Sequence, residues 1–409
     1  MIPRGRPDIG WRDLAYALAC CLRPGDLVKA QQRAEAAWLH GESLACLSVR
    51  SGFDLVLQAL QLPPGSEVLV SAVTIRDMVR IIEHHGLVAV PVDVDVDTLA
   101  VSPTLLEQAI TPRTRAVLVA HLFGSRMPLD GIAEVARRHG LTLFEDCAQA
   151  YDGPAYQGHE ASDVCMFSFG PIKTQTALGG ALLRFKDAAL REKVRRMQAA
   201  YPRQRRQPFA RRVLLVALLK LLSRPALFRL FVLACHMRGI SHDQLITASL
   251  RGFPGADLMT KLRHQPCAPL LRLLAWRLKR ADVGDIRRRA TLGERLAAAL
   301  GEVPRPGSQA LPHNHWVFPM LAERPGELTQ LLWHSGFDAT RGASSLHVVP
   351  SPEGTTATTP QAETMLTHVV YLPLHPVLNA SAMRRLAEVV GESTADYVLR
   401  KSSSMKRET

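Results

Sequence analysis

The sequence predicts an α/β protein, with a large domain built on a central, mostly parallel mixed sheet and a smaller C-terminal α+β domain. Three observations carry this. Between Ser51 and Phe185, short apolar runs alternate with runs of helical period, as in a mostly parallel sheet covered by helices. A chain of 409 residues, 47% of them hydrophobic, can bury a large core, and its length favours more than one domain. After a basic stretch, helical periodicity resumes and leads into a strand-like run, as a second unit requires.

At the N-terminus, Arg4, Arg6 and Arg12 precede a short apolar run, Leu14 to Leu22. Asp13 opens that run and no small-residue cleavage site follows, so the segment reads as an amphipathic helix, not a signal peptide. Strands are expected at Glu67 to Ser71, Leu87 to Val92, Arg115 to Ala120, Leu141 to Phe144, Val164 to Phe169 and Ala181 to Phe185. Helices are expected at Phe53 to Leu60, Arg76 to His85, Ser102 to Ala109 and Leu129 to His139, the last ended by Gly140 as a natural C-cap. The second unit reads as helical from Ala268 through Leu300, a strand from His315 to Leu321, and helices at Leu328 to Ser335 and Ala380 to Val390. The expected division is a large domain over 1–265, with a basic, apolar helical insertion at 203–240, a small domain over 266–400 and a frayed polar tail at 401–409.

The net charge of +13 is concentrated. Arg184 to Arg238 holds fifteen Lys or Arg against Asp187 and Glu192, a local excess equal to that of the whole chain. Nucleic acid is not the expected partner, because the basic residues are interleaved with leucines and no recognition module is present. The seven cysteines are an odd number without CxxC spacing, which argues against a disulfide framework and against a zinc site; no metal is expected. A reducing cytosol fits that usage.

The chemistry concentrates between Leu141 and Gly180. An apolar strand ends in Glu145 and Asp146, which sets a carboxylate at the carboxyl edge of the sheet, where α/β proteins bind ligands. The next strand ends in Ser168, and Lys173 follows in a loop closed by Gly179 and Gly180. A lone lysine in such a loop is most often a solvated charge, and Asp146 alone could be a helix cap. Together on successive strand ends, an acid, a hydroxyl and an amine suit pyridoxal phosphate (PLP). That cofactor needs an amine for the imine, a carboxylate to keep the pyridine nitrogen protonated and donors for the phosphate. Upstream, Ser51 and Gly52 precede the helical run FDLVLQAL, where free amides and the helix dipole could cradle a phosphate; an ordinary N-cap explains Ser51 equally well.

The pieces SGFDLVLQAL, PVDVDVDTLAVSPTLLEQAITPRTRAVLVAHLFG, EDCAQA, FSFGPIK and YLPLHP resemble the DegT/StrS-type family of PLP aminotransferases, which build amino sugars from nucleotide-linked keto sugars. The resemblance is dense from Ser48 to Phe185 and thin in the last third. It implies fold type I of the PLP enzymes, and a homodimer whose interface forms the site. It also implies Lys173 as the Schiff-base lysine, Asp146 on the pyridine nitrogen, Gln149 over the ring or its phenolic oxygen, and Ser168 with the Ser51–Gly52 turn on the phosphate. A lysine at 173, where the family's dehydratases carry a histidine, favours transamination. In the C-terminal region, His315 and Arg341 fall where the family lines its substrate pocket, and Arg341 could grip a donor carboxylate bidentately.

The chain also departs from that pattern. Ile75 follows Thr74 where an aromatic residue usually stacks on the cofactor ring, and Phe53 stands where a Thr usually follows the phosphate-binding Gly. The family's Asn-Tyr-Arg-Met stretch has no counterpart; in its place lies the basic insertion. Lys220, Arg224, Pro225 and Arg229 interrupt its apolar run, which fits two amphipathic helices meeting near Pro225 better than a membrane span. Residues 211–238 could lie on an anionic membrane surface, each basic residue contributing about 1 kcal/mol, or could pack on the core or across a dimer.

The expected activity is transfer of an amino group from an amino acid, such as glutamate, to a keto group on a nucleotide-linked sugar or a lipid-linked, hydrophobic acceptor. The expected location is the cytoplasm, with peripheral contact at the inner membrane face. The alternatives are a PLP-dependent decarboxylase or condensing enzyme on a hydrophobic substrate, and a non-catalytic membrane-associated protein on the same scaffold.

Overall fold

Apolar runs rich in Val, Leu and Ala form the strands of the computed structural model, whose described residues are 1–38, 42–250, 253, 257–342, 345–355 and 357–405. The strands are β1 (Ser43–Cys46), β2 (Glu67–Ser71), β3 (Val73–Ile75), β4 (Val88–Val92), β5 (Thr114–Ala120), β6 (Thr142–Asp146), β7 (Val164–Ser168), β8 (Ala181–Phe185), β9 (Phe318–Leu321), β10 (Leu346–Val348) and β11 (Val369–Leu372). Seven of them form one sheet in the order β1-β8-β7-β6-β5-β2-β4. The pairs from β4 to β7 are parallel, and β8 runs antiparallel to both β7 and β1. Register sets Ala120 beside Asp146 and Asp146 beside Met166, so the carboxyl ends of β5, β6 and β7 open at one edge. His121, Asp146 and Ser168 stand there, in the crevice position of open α/β sheets.

Before and within the sheet region come α1 (Trp11–Leu22), α2 (Leu27–Ala36), α3 (Val49–Leu60), α4 (Arg76–His84), α5 (Pro103–Gln108), α6 (Asp130–Arg138) and α7 (Ala188–Ala199). One sheet face packs on a core with Phe53, Leu57, Ile81 and Val194 from α3, α4 and α7; the other packs on Leu14, Ala34 and Leu271. Helix α3 lies so close to β8 that a Cβ at Gly52 would fall 2.6 Å from Leu183. The expected helix start at Phe53 is corrected to Val49, with the Ser48 hydroxyl accepting the Ser51 amide as N-cap. Arg50 breaks the apolar pattern there, so the first turn reads as loop.

The insertion forms α8 (Arg206–Leu222) and α9 (Pro225–Met237), meeting at Pro225 as expected, followed by α10 (His242–Leu250) and α11 (Leu258–Leu262). Phe209, Val213, Val216 and Lys220 form the buried face of α8, which packs on α1 and on α12 (Ala268–Leu278). The opposite faces of α8 and α9 stay open: Leu214 is 56% exposed, Leu218 52%, Leu230 62% and Met237 72%. Among the described residues, no helix is long and apolar enough to cross a membrane.

The helical run expected over Ala268 to Leu300 is two helices, α12 and α13 (Val283–Leu300), because the Asp282 carboxylate accepts the Gly284 amide at 2.8 Å and starts a new helix. Helices α14 (Pro325–His334), α15 (Pro360–His368) and α16 (Ala380–Met405) complete the chain. Around β9 and β11, α13, α14 and α16 enclose a separate core with Phe318, Leu332, Val370 and Leu386. Helix α16 runs past Lys401, where a frayed tail was expected, and 406–409 lie outside the described residues. The first residues tie to this unit, Ile2 bridging Phe337 and Arg4 binding Asp338 at 2.8 Å.

Candidate active site

Strand alternation sends Glu145 and Asp146 to opposite faces of the sheet, and the two acids meet opposite environments. Glu145 is crowded with donors: His121 Nε2 at 2.9 Å, the Ser162 hydroxyl at 3.0 Å, the His159 amide at 2.7 Å, the Tyr156 hydroxyl and the thiols of Cys147 and Cys165. Burial alone would raise its pKa; the bonds from His121 and Tyr156 outweigh it and hold the carboxyl well below the usual range. His121 Nδ1 accepts the Met127 amide, so both ring nitrogens are engaged. His121, Glu145 and Cys147 stand within 4.8 Å of one another as a hydrogen-bonded cluster that braces the end of β6.

Asp146 has little such help. Its Oδ1 accepts the Ala148 amide at 2.9 Å, and Oδ2 has no donor among the described residues. Burial raises its pKa, with the Ala148 amide and the charges of Lys173, His121 and Arg50 only partly opposing the rise. Lys173 is the complement of this acid: burial pushes its amine down to about 8 against the pull of Asp146, and Arg50 adds to the fall. At neutral pH an appreciable share of that amine is neutral and nucleophilic.

Ser168 and Lys173 flank Gly170, since a Cβ there would lie 3.7 Å from the Ser168 hydroxyl and 3.8 Å from Lys173 Cγ. Among the described residues, only a long contact from the Gly170 amide, at 3.5 Å, engages that hydroxyl. Gln149 is buried, with its amide oxygen accepting the Phe123 N–H at 2.9 Å and its nitrogen without an acceptor among the described residues. Of the expected phosphate cradle, the Ser51 hydroxyl faces Ser48 at 2.9 Å, while the Gly52 amide is committed to the Ser48 carbonyl. The open amides are therefore those of Val49 and Arg50, two residues earlier than expected, because they have no acceptor within the helix. Arg50, which the sequence pattern did not single out, brings a cation to that turn and pairs with Asp77 at 2.5 Å. Ile75 ends β3 and packs on the core under α3 and α4.

Neither of the expected C-terminal residues, His315 or Arg341, lines a cavity with Lys173. His315 does not face Lys173. Its backbone takes φ of +48°, and its ring stacks on His313 at 4.2 Å and against Gly293, where burial pushes its pKa down to about 4. Trp316, one residue on, faces the lysine: Lys173 Nζ lies 4.0 Å from its ring centroid, and its indole N–H donates to the Ile172 carbonyl at 2.9 Å. Gly124, at φ +101°, makes this possible, since a Cβ there would fall 2.5 Å from the Trp316 amide. Arg341 is exposed and donates to the Thr367 carbonyl at 2.9 Å. An arginine that lines a cavity together with Lys173 is Arg289, whose guanidinium bonds, among the described residues, to Asn314 alone, through its carbonyl at 3.1 Å and its side-chain oxygen at 3.4 Å. Burial lowers its pKa.

A cavity of about 290 Å³ opens beside Lys173, Trp316 and Arg289 and extends under the insertion to Phe228, Phe231 and Ile246.

Residues 21–214 match the model of the DegT/DnrJ/EryC1/StrS aminotransferase family. Over 161 residues the chain is 41% identical to the erythromycin biosynthesis sensory transduction protein EryC1 of Saccharopolyspora erythraea, covering 38% of this chain and 44% of that relative, so the chain spans less than half of the relative's length. Among solved structures, the aminotransferase TlmJ of Streptoalloteichus hindustanus superposes with a TM-score of 0.69 at 20% identity, over 97% of this chain and 100% of its own. DesV of S. venezuelae does so with a TM-score of 0.66 at 24% identity, over 95% of this chain and 98% of its own. The expected α/β architecture is the one these structures share. Aminotransferases of the matched family use pyridoxal phosphate. The open Asp146 oxygen, the softened amine of Lys173 and the lightly engaged Ser168 hydroxyl fit that cofactor.

Proposed function

We propose that this chain, which by its residues 21–214 belongs to the DegT/DnrJ/EryC1/StrS aminotransferase family, moves the amino group of an amino acid onto a keto group of a sugar, nucleotide-linked or lipid-linked. The observation that carries this is the meeting of a lysine of lowered pKa with a buried carboxylate that has one oxygen unused.

Bound pyridoxal phosphate supplies a carbon that amines attack and a cationic ring that accepts the electrons of a breaking C–H bond. Asp146 Oδ2 would accept the ring N–H, and pairing with that cation would relieve the burial that raises its pKa. Ser168, Ser51, the Val49 and Arg50 amides and the start of α3 would hold the phosphate. Lys173 Nζ would hold the cofactor at rest and, once displaced by the donor, take up the proton from the donor's α-carbon. Gln149 would lie against the ring, braced by Phe123. Arg289 is the cation we assign to the donor carboxylate in place of Arg341, because it lines the cavity beside Lys173.

We further propose that the chain works as a homodimer in the cytoplasm, as the family resemblance implies, with peripheral contact at the inner membrane face. The exposed leucines of α8 and α9 lie among Arg211, Arg224, Arg229 and Arg238, which suits an anionic interface.

The test is a single turnover with donor alone. Purified enzyme loaded with PLP and given glutamate should release one equivalent of 2-oxoglutarate per site, and Lys173→Ala should release none. Loaded enzyme that releases no 2-oxo acid from any common amino acid would contradict the proposal.

A further inference from the structure

The cavity beside Lys173 does not belong to the cofactor residues: Asp146, Gln149, Ser168 and Ser51 are absent from its walls. It touches the catalytic centre only at one end, through Lys173 and Trp316. Its far wall is built by the insertion, with Val216, Leu219 and Leu222 from α8, Phe228 and Phe231 from α9 and Ile246 from α10. All six lie beyond residue 214, where the match to the family model ends. The N-terminal segment closes the opposite side and is held there by Arg4 on Asp338 and by the Gln175 amide on Asp8 at 2.7 Å.

Most charged groups on the walls are already paired, while the exposed Arg6 of the N-terminal segment has no side-chain partner among the described residues. Arg4 is shared between Asp338 and Asp243, and Asp8 takes the Gln175 amide and Arg277. Arg289, which lines the same cavity as Lys173 and among the described residues bonds to Asn314, suits the donor carboxylate. A nucleoside diphosphate would need cations and donors along the whole length, and the insertion offers leucine, valine and phenylalanine instead. A volume of about 290 Å³ is at the small end for a small-molecule site, yet an α-amino acid fills only the part nearest Lys173.

We infer that the keto acceptor carries an apolar substituent, alkyl or aryl, which lies between α8, α9, α10 and the N-terminal segment while its carbonyl reaches Lys173. This rests on the aminotransferase reading and narrows it. The outer leucines of α8 and α9 continue the apolar surface away from the cavity, so the substituent can come from a dissolved molecule or from one resident in a membrane.

The experiment uses the full-length enzyme, loaded with PLP and first converted by glutamate to its aminated form. It is then given 2-alkanones from acetone to 2-undecanone, and the rate of amino transfer is followed for each. The expected result is a rise of about fourfold per buried methylene until the cavity is filled, then a plateau. Phe231→Ala should flatten this rise and Leu219→Glu should abolish it, both read as the ratio of rates for 2-nonanone and acetone within one preparation. Ala226→Glu, exposed on α9, should keep the ratio. Offering 2-undecanone dissolved or in phosphatidylglycerol vesicles separates the two sources, and reaction from either supports the inference. A flat series, a slope that survives in both cavity variants, or a slope for alkyl 2-amino acids in place of the ketones would overturn it. Glutamate conversion is the separate control: if it fails, the aminotransferase reading falls, and if it succeeds while the series is flat, only the apolar cavity does.

Discussion

Lys173 Nζ sits 4.0 Å from the centre of the Trp316 ring, which is itself tied to the lysine loop by its N–H on Ile172. An aromatic face so placed favours the ammonium by about 0.5–1 kcal/mol and opposes, in part, the burial that drives the amine down. Trp316→Ala should lower the pKa of Lys173 in cofactor-free protein by roughly half a unit, whereas Trp316→Phe should leave most of it in place. The pH dependence of Lys173 methylation with formaldehyde and a mild hydride measures this, and an upward shift in Trp316→Ala would contradict the assignment.

The two shifted groups make a prediction for stability. Folding lowers the Lys173 pKa from 10.5 to about 8, so the folded state carries an unfavourable charge below about 8, and the penalty fades as pH rises to 10.5. Lys173→Met should therefore melt higher than the parent, both free of cofactor, at pH 7, with the gain shrinking between pH 8 and 10.5. Asp146 is shifted the other way: its penalty is absent below the unfolded value of 3.8, grows as pH rises from there to the raised folded value and is complete above it. Asp146→Asn should likewise raise the melting temperature of cofactor-free protein at pH 7, yet weaken PLP binding by at least about 100-fold, the order expected for losing a buried ionic partner. Calorimetry across this pH range and a cofactor titration check both halves.

Arg289 and Arg341 separate two accounts of donor binding. Arg289→Met should raise KM for glutamate by about 10–100-fold with a smaller effect on kcat, since a charged hydrogen bond contributes about 1.5–3 kcal/mol. Arg341→Ala, which loses only an exposed bond to Thr367, should stay within about twofold. Steady-state kinetics on the two variants would reverse the assignment if the larger effect fell on Arg341.

The outward face of the insertion yields a binding prediction. The enzyme should pellet with phosphatidylglycerol vesicles at low salt and less so at high salt, and replacing Leu230, Leu233 and Met237 with Glu should abolish pelleting. Equal recovery in the supernatant for parent and variant would remove the membrane contact.

Much of the fold was legible because the strands from Glu67 to Phe185 are unbroken apolar runs set off by helices, and Pro225 marks the joint of the insertion. Short elements were not: SLAC in β1 and the three-residue β3 and β10 carry too few positions for a period to show. The acid, hydroxyl and amine of the site were legible as successive strand ends. Trp316 was not, because the left-handed backbone at His315 breaks strand alternation and exchanges the faces of the two residues. Arg289 is one of three consecutive arginines on α13, and only packing selects which of them enters the cavity. Arg50 was hidden by the unrecognised first turn of α3.

The central claim is that Lys173 is the amine that holds the cofactor, and borohydride reduction of the PLP-loaded enzyme followed by peptide mass spectrometry tests it most directly. The account predicts one reduced pyridoxyl group per chain, on the peptide containing Lys173, and none in Lys173→Ala. A pyridoxyl group on any other lysine, with Lys173 unmodified, would contradict it.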